Sequence, residues 1–388
     1  VNPLRVDEEQ LRAWRHHLHR HPETAFEEAV TSDSVAAVLA DLGYDVVRGL
    51  GGTGLVASLT KGESPRAVGL RADMDGLPIT EVAGREHGSA TTGRMHACGH
   101  DGHMAMVLGA AAALASQDFD GTVRMVFQPA EEPGRGAQSM VDDRLFERFP
   151  VDAMYGLHNM PGIPAGHLHT RAGGFMASED DFEIVVTGRG GHAARPHAVV
   201  DPLVVGAEIV LALQTVVARS IDPAAPAVLS CTGFVTDGAR NAIPTTVRIS
   251  GDTRSFDPAV QELLERRIHD LATGIAAAHG ARAEVTYTHE FAPTLNDPAA
   301  AARAVAAARA VLGAERVDGD CDPAMPSEDF GVFARHVPAC FVFLGNGTQP
   351  GRGGTPLHSS DYDINDDILA DGVRYLVAVA LEELRQAP

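Results

Sequence analysis

Positive charge is scarce in this chain of 388 residues: 31 lysines and arginines stand against 52 aspartates and glutamates, a net charge of −21, and the only lysine is Lys61. Nucleic acids and anionic membranes both recruit basic patches, so neither is expected as a partner. Cysteine is sparse as well. Cys98, Cys231, Cys321 and Cys340 are scattered through a chain large enough to fold without covalent staples, and no two have zinc-ribbon or redox spacing, which argues against a disulfide framework. Long apolar runs are missing too. No stretch approaches the roughly 18 uninterrupted apolar residues of a membrane span, and "VNPLRVDEEQ" lacks the basic-then-apolar order of a signal peptide. The first residue is not Met, which leaves room for an upstream segment. A cytoplasmic location, with no membrane contact, is expected.

With 45% hydrophobic and 21% charged residues, the composition is that of a globular protein with a substantial core, and the length exceeds what one core usually fills. The N-terminal part alternates helical and strand patterns in the way that builds a mostly parallel sheet with helices on its faces: "GLVASLT", "AVGLRAD", "TVRMVFQ" and "DAMYGLH" read as strands, with a helix predicted over 102–116. From residue 180 the order becomes β-α-β-β-α-β, the split-βαβ, ferredoxin-like unit. After residue 291 the α/β pattern resumes. The chain therefore reads as one α/β domain formed by residues 1–179 and 291–388, interrupted by an inserted domain at 180–290. That insert must end in sheet edges, and its helix around "VVGAEIVLALQTVV" is apolar over more than one stripe, so a homodimer built through it is expected.

The densest chemistry lies in "MHACGHDGH", three histidines, a cysteine and an aspartate within residues 95–103. Ligands of open α/β sheets gather beyond the carboxyl ends of the strands. Four segments with metal-binding residue types fall there: "CGHDGH" in the loop feeding a helix, "FQPAEE" with Glu131 and Glu132 just past a strand, "GLHN" with His158, and "LHSSDYD" with His358. A lone histidine is more often a surface or core residue, and an isolated Cys98 would be a small buried hydrophobe. Taken together, however, Cys98, His100, Glu132, His158 and His358 supply thiolate, imidazole and carboxylate, a set suited to zinc or a similar transition ion and poorly suited to calcium or magnesium. Adjacent glutamates can divide the work, one binding an ion and one handling protons while a water attacks a carbonyl. Metal-assisted hydrolysis is the reaction class this pattern points to.

The segments "WRHHLHRHPETAFEE", "LRADMDGLP", "MHACGHDGH", "FQPAEE", "GLHN", "GGHAARPH", "NAIP" and "PSEDF" follow one another along nearly the whole chain. In sequence and order they resemble the two-metal amidohydrolases that include hippurate hydrolase, N-acyl-amino-acid amidohydrolases and indole-3-acetyl-amino-acid hydrolases. The resemblance implies a zinc-peptidase-like catalytic domain interrupted by a lid or dimerisation domain. It implies two divalent transition-metal ions per subunit, zinc or else manganese, cobalt or nickel. Their ligands would be Cys98, His100, Glu132, His158 and His358, with the thiolate able to bridge and Glu131 acting as general base. Relatives in the wider superfamily carry H-x-D-x-[VL]-P, whereas "DMDGLP" has Asp73 at the His position, a departure that leaves Asp73 outside the expected ligand set. Asp75, at the retained Asp, is expected to orient a ligand. His96 and His103 are read as structural. In the insert, His192 is expected to approach the scissile carbonyl oxygen, in its own subunit or the neighbour's, and Asn241 and Arg254 to hold the substrate's amide or carboxylate. Arg254 could equally serve a surface ion pair. The activity so implied is hydrolysis of a small N-acyl amino acid to a carboxylic acid and an amino acid. The alternatives are a dipeptidase or carboxypeptidase on the same scaffold, and a silent, metal-stabilised binding protein.

Overall fold

The computed structural model describes residues 6–385, which divide into two compact units. One runs to Phe175 and takes in Leu295–Pro323 and the chain from Asp329; the other comprises Met176–Thr294 with Ala324–Glu328. The exchange points lie a few residues outside the expected 180–290, and the short segment 324–328 sorts with the second unit.

The first unit is built on an eight-stranded sheet in the order Asp45–Leu50, Gly54–Lys61, Gly121–Gln128, Ala67–Asp73, Ala153–Pro161, Ala339–Gly347, Leu168–His169 and Val317–Asp318. Its four middle strands are mutually parallel, and the two at the first edge are antiparallel. Ala67–Asp73 is buried at every position, the signature of a strand covered on both faces. Val68, Leu70 and Ala72 share one core with Met104, Val107 and Leu108 of the helix His100–Ala115 and with Val373, Leu376 and Val379 of the closing helix Leu369–Leu384. Parallel register sets Asp73 beside Gln128 and Arg71 beside Gly156, so the strand ends carrying the "RADMD", "FQPAEE" and "GLHN" segments lie side by side.

Two local features differ from the sequence reading. The edge strand Asp45–Leu50 has a mostly exposed or half-buried pattern and too little alternation to announce itself; pairing with Gly54–Lys61 makes it a strand. The helix expected over 102–116 starts two residues earlier, because Gly99 takes a left-handed conformation (φ +93°) and turns the chain into it. His100 is thus the first helical residue. Gly102 lies inside the helix, where a Cβ would stand 2.2 Å from Ile364 Cδ1, so it is a packing glycine and not a loop one.

The second unit holds a four-stranded antiparallel sheet in the order Ala227–Thr236, Thr246–Ser255, Glu179–Thr187, Arg282–Phe291. Numbered along the chain this is 2-3-1-4, the split-βαβ arrangement. Its two helices, Pro202–Ser220 and Pro258–Ala278, each start on an aspartate that accepts a backbone N–H, with proline in the first turn. Phe182, Ile184, Val186, Val247 and Ile249 point to one face and pack against Val205, Ile209, Leu213, Leu264 and Ile268. Pro202–Ser220 is long and apolar enough to span a membrane by length and composition. Its buried stripe at Val205, Ile209, Leu213 and Val216 lies on the sheet instead, while Leu203, Val204 and Leu211 stay exposed.

A buried ionic cluster ties the first helix, Glu8–Arg20, to the helix His100–Ala115. Asp101 Oδ2 lies 3.1 Å from Arg15 Nε and 2.8 Å from His19 Nδ1, and His19 Nε2 lies 3.3 Å from Glu81 Oε1. Burial alone would raise the pKa of Asp101, but His19 and Arg15 hold it well below the usual carboxylate range. Glu81, by the balance of burial against His19, Ser89 N–H and Arg85, is held down to about 2. Carboxylates depressed in the folded state stabilise it above their unfolded pKa and lose that contribution as pH falls through the folded value. Asp101→Asn, which leaves Arg15 and His19 without their shared partner, should cost about 3–5 kcal/mol at neutral pH. The loss should shrink towards pH 2, as read from urea unfolding across that range; a pH-independent loss would contradict the assignment.

Candidate metal centre

In the first unit four segments converge. Cys98 and His100 come from the turn entering the helix His100–Ala115, Glu131 and Glu132 follow the strand Gly121–Gln128, His158 lies within Ala153–Pro161, and His358 precedes the closing helix. The His358 loop is docked by its own N–H, which donates to the carbonyl of Ala97 at 2.8 Å. Cys98 Sγ is 3.4 Å from His158 Nε2, His358 Nε2 is 3.5 Å from Glu132 Oε2, and His100 Nε2 is 3.9 Å from Glu132 Oε1. Two donors held about 2.0–2.3 Å from one ion lie roughly 3–4 Å apart, so these spacings suit coordination. Of five clustered groups of donor atoms among the described residues, two contain Cys98: Cys98 with His100 and His158, and Cys98 with Glu132 and His358. The sulfur is common to both.

The imidazoles are prepared for such a role. His100 Nδ1–H donates to the carbonyl oxygen of Asp75 at 2.8 Å, and His158 Nδ1–H to that of Asn159 at 2.6 Å, so each ring turns the lone pair of Nε2 inward. A second hydrogen bond of this kind is what orients metal-binding histidines. His100 Nε2 and Glu132 Oε1 are buried without a hydrogen-bond partner, a costly condition for polar atoms that an ion would relieve. The donor set therefore fits a divalent transition ion. Burial opposes charge on His100, yet Asp73, Asp75 and Glu132 raise its pKa to about 10, which measures how negative the surroundings are. Burial holds His158 well below the usual histidine range and so in the neutral form that can donate a lone pair.

Asp75 carries the glutamate turn. Its Oδ1 accepts the N–H of Glu131 at 3.0 Å and its Oδ2 the N–H of Glu132 at 3.1 Å. The preceding residue, Ala130, sits at φ +48° and is held there by Glu28 Oε1, which accepts its N–H at 2.9 Å. Glu28 is a residue the sequence reading passed over inside "PETAFEE"; only its burial marks it out. Asp73 is fully buried and turned to Arg71 Nη1 (2.8 Å) and His103 Nδ1 (2.7 Å). His96 is buried with neither ring nitrogen hydrogen-bonded.

In the second unit, His192 pairs with Ala242 in a short two-stranded ladder, and Asn241 lies just before that strand, its carbonyl accepting the N–H of Ala193 at 3.0 Å. His192 is exposed, and its Nδ1 accepts the N–H of Ala194 at 3.1 Å. Arg254 is engaged by Glu179 (3.1 Å) and Asp252 (3.2 Å) and reaches Ser327 Oγ at 3.0 Å, an ion-pair setting within its own unit.

Residues 69–382 match the model of peptidase family M20/M25/M40. Among curated proteins, the chain is 38% identical over 371 residues to a hippurate hydrolase of Campylobacter jejuni, covering 96% of each. It is 37% identical over 378 residues to an IAA-amino acid hydrolase of Arabidopsis thaliana, covering 96% of this chain and 84% of that one. Among solved structures, the YxeP protein of Bacillus subtilis, described as a dinuclear metal-binding peptidase, superposes with a TM-score of 0.83 at 29% identity over 96% of this chain and 97% of its own.

If the donors act as their geometry suggests, metal-free protein should take up close to two equivalents of zinc or cobalt, and magnesium should not compete. Glu132→Gln, which exchanges a charged donor for an amide, should weaken uptake by roughly 10–100-fold in a chelator competition. Unchanged affinity in that variant would remove Glu132 from the donor set.

Proposed function

The chain belongs to peptidase family M20/M25/M40, and on that premise we propose that it is a metal-dependent amidohydrolase that splits N-acyl amino acids into a carboxylic acid and a free amino acid. The observation that carries the reading is the pair of donor groups sharing Cys98, with a second glutamate, Glu131, beside them. Two divalent ions are the proposed cofactors, with zinc, manganese, cobalt or nickel as candidates. When bound, they supply polarisation of the amide carbonyl and acidify the attacking water.

The residues of this chain do the rest. Cys98, His100, Glu132, His158 and His358 hold the ions. Glu131, nearly buried with Oε2 3.8 Å from His100 Nε2, is the general base: it takes the proton of the attacking water and delivers it to the departing amine nitrogen. Asp75 acts at one remove, fixing the turn through the two N–H groups it accepts. His192 is proposed to stabilise the oxyanion through its Nε2–H, with Asn241 and Arg254 engaging the substrate's amide and carboxylate; for Arg254 this requires exchanging its present carboxylate partners. A silent binding protein would have no need of Glu131. A cytoplasmic location is part of the proposal; among the described residues Cys98, Cys231, Cys321 and Cys340 form no disulfide.

A homodimer through the inserted unit is part of the proposal. Leu211 is 71% exposed on the helix Pro202–Ser220 and Val235 64% exposed on the outer strand Ala227–Thr236, so an apolar helix face and an open strand edge both call for a cover. Mixing inactive His192→Ala with inactive Glu131→Gln subunits should restore part of the activity if the histidine serves the neighbouring site. No recovery after demonstrated subunit exchange would confine it to its own subunit, and a monomer at working concentration would end the dimer.

The assay that tests the function is a panel of N-acetyl, benzoyl and indole-acetyl amino acids beside matched dipeptides, run on metal-loaded enzyme. Acylated substrates should turn over without a free α-amino group; a strict requirement for that group would make the enzyme a dipeptidase. Glu131→Gln should lower kcat by a factor on the order of 10² or more with metal content retained. Near-normal turnover in that variant would overturn its assignment.

A further inference from the structure

His103 lies in the first turn of the helix His100–Ala115, 1% exposed, and the proposed chemistry leaves it without a role. Both of its ring nitrogens are engaged. Nδ1 faces Asp73 Oδ1 at 2.7 Å, and Nε2 accepts the backbone N–H of Asn159 at 3.0 Å. A nitrogen that accepts a backbone N–H carries no proton, so the ring is neutral, with its single hydrogen on Nδ1 and directed at Asp73. His103 therefore does not offer a lone pair for coordination, although it stands close to Asp73 and His100.

What it does hold is Asn159. The carbonyl of that residue receives His158 Nδ1–H at 2.6 Å, and its side-chain amide donates to the carbonyl of Cys98 at 2.7 Å. Its Oδ1 accepts the hydroxyl of the fully buried Tyr362. One residue thus sets both the ring of His158 and the backbone of Cys98, the two side chains whose Sγ and Nε2 face each other at 3.4 Å. Behind His103, Asp73 is fixed by Arg71, which in turn reaches Asp329 Oδ1 at 3.2 Å.

We propose that His103 is a positioning residue: as a neutral hydrogen-bond acceptor braced by Asp73, it fixes Asn159 and so sets the separation and orientation of the Cys98 thiolate and the His158 imidazole. The inference rests on the reading of those two side chains as metal ligands.

Two conservative variants separate this role from simple packing. In His103→Gln the longer side chain can present its amide oxygen where Nε2 stands and keep the Asn159 N–H satisfied. In His103→Asn the shorter amide can still donate to Asp73 but does not reach Asn159. With cobalt as the probe, the sulfur-to-cobalt charge-transfer band should be near wild type in His103→Gln and weakened or shifted in His103→Asn. Cobalt affinity should fall by roughly 10–100-fold in His103→Asn and much less in His103→Gln. The kcat should follow the same order, with KM little changed in either. Cys98→Ser is the control and should abolish the band. A wild-type band and affinity in His103→Asn, beside a lost band in Cys98→Ser, would overturn the positioning role alone. Equal loss of thermal stability in both His103 variants with the band intact in both would mark a packing role and overturn it as well. A band that survives Cys98→Ser would overturn the thiolate reading, and the proposal with it.

Discussion

The turn at Gly99 is the constraint on which the candidate centre depends. With φ at +93° and no room for a Cβ, which would lie 2.4 Å from Asn159 Nδ2 and 2.8 Å from the Tyr362 hydroxyl, this position admits only glycine. It sends the chain into a helix whose first turn carries three polar side chains, each with its own set of partners. His100 faces the donor cluster, Asp101 the buried Arg15 and His19, and His103 the Asp73 and Asn159 pair. The rest of that helix is apolar on every side and buried along nearly its whole length. A helix so enclosed cannot rotate by even part of a turn without moving charged groups off their partners, so the orientation of His100 is inherited from the core.

Carboxylates that bind no ion in the proposed scheme are as central as those that do. Asp75 and Glu28 are buried; Asp75 gives both oxygens, and Glu28 its Oε1, to backbone N–H groups of the turn Ala130–Glu132, while Glu28 Oε2 accepts the Thr53 hydroxyl. Isolating a carboxylate from water is costly, and these hydrogen bonds are what offset it. They also stabilise the left-handed Ala130, a conformation that costs about 1–3 kcal/mol when nothing enforces it. The result is a turn that brings two adjacent glutamate side chains to the site.

The second unit follows simpler rules. Strand alternation buries one face of its sheet under two capped helices, while the edge strand Ala227–Thr236 leaves Phe234 and Val235 exposed. Here too the functional candidates lie off the main sheet: His192 is in a small two-stranded ladder and Asn241 just before its second strand.

Periodicity determined the α/β class and the split-βαβ order of the insert, and motif content named the candidate donor side chains, because these are legible in residue type and order along the chain. Cys98, His100, Glu131, Glu132, His158 and His358 could be named from local segments, since the parallel strands before them end on one edge of the sheet. Tertiary structure alone decided how those side chains are held. That Glu28 braces a turn a hundred residues away, that His103 spends its Nε2 on Asn159, and that Asp101 faces Arg15 and His19 are facts of packing between distant segments. A buried carboxylate and an exposed one look alike in a sequence. Only the folded chain assigns their partners, because hydrogen-bond geometry depends on which backbone groups the core brings within 3 Å.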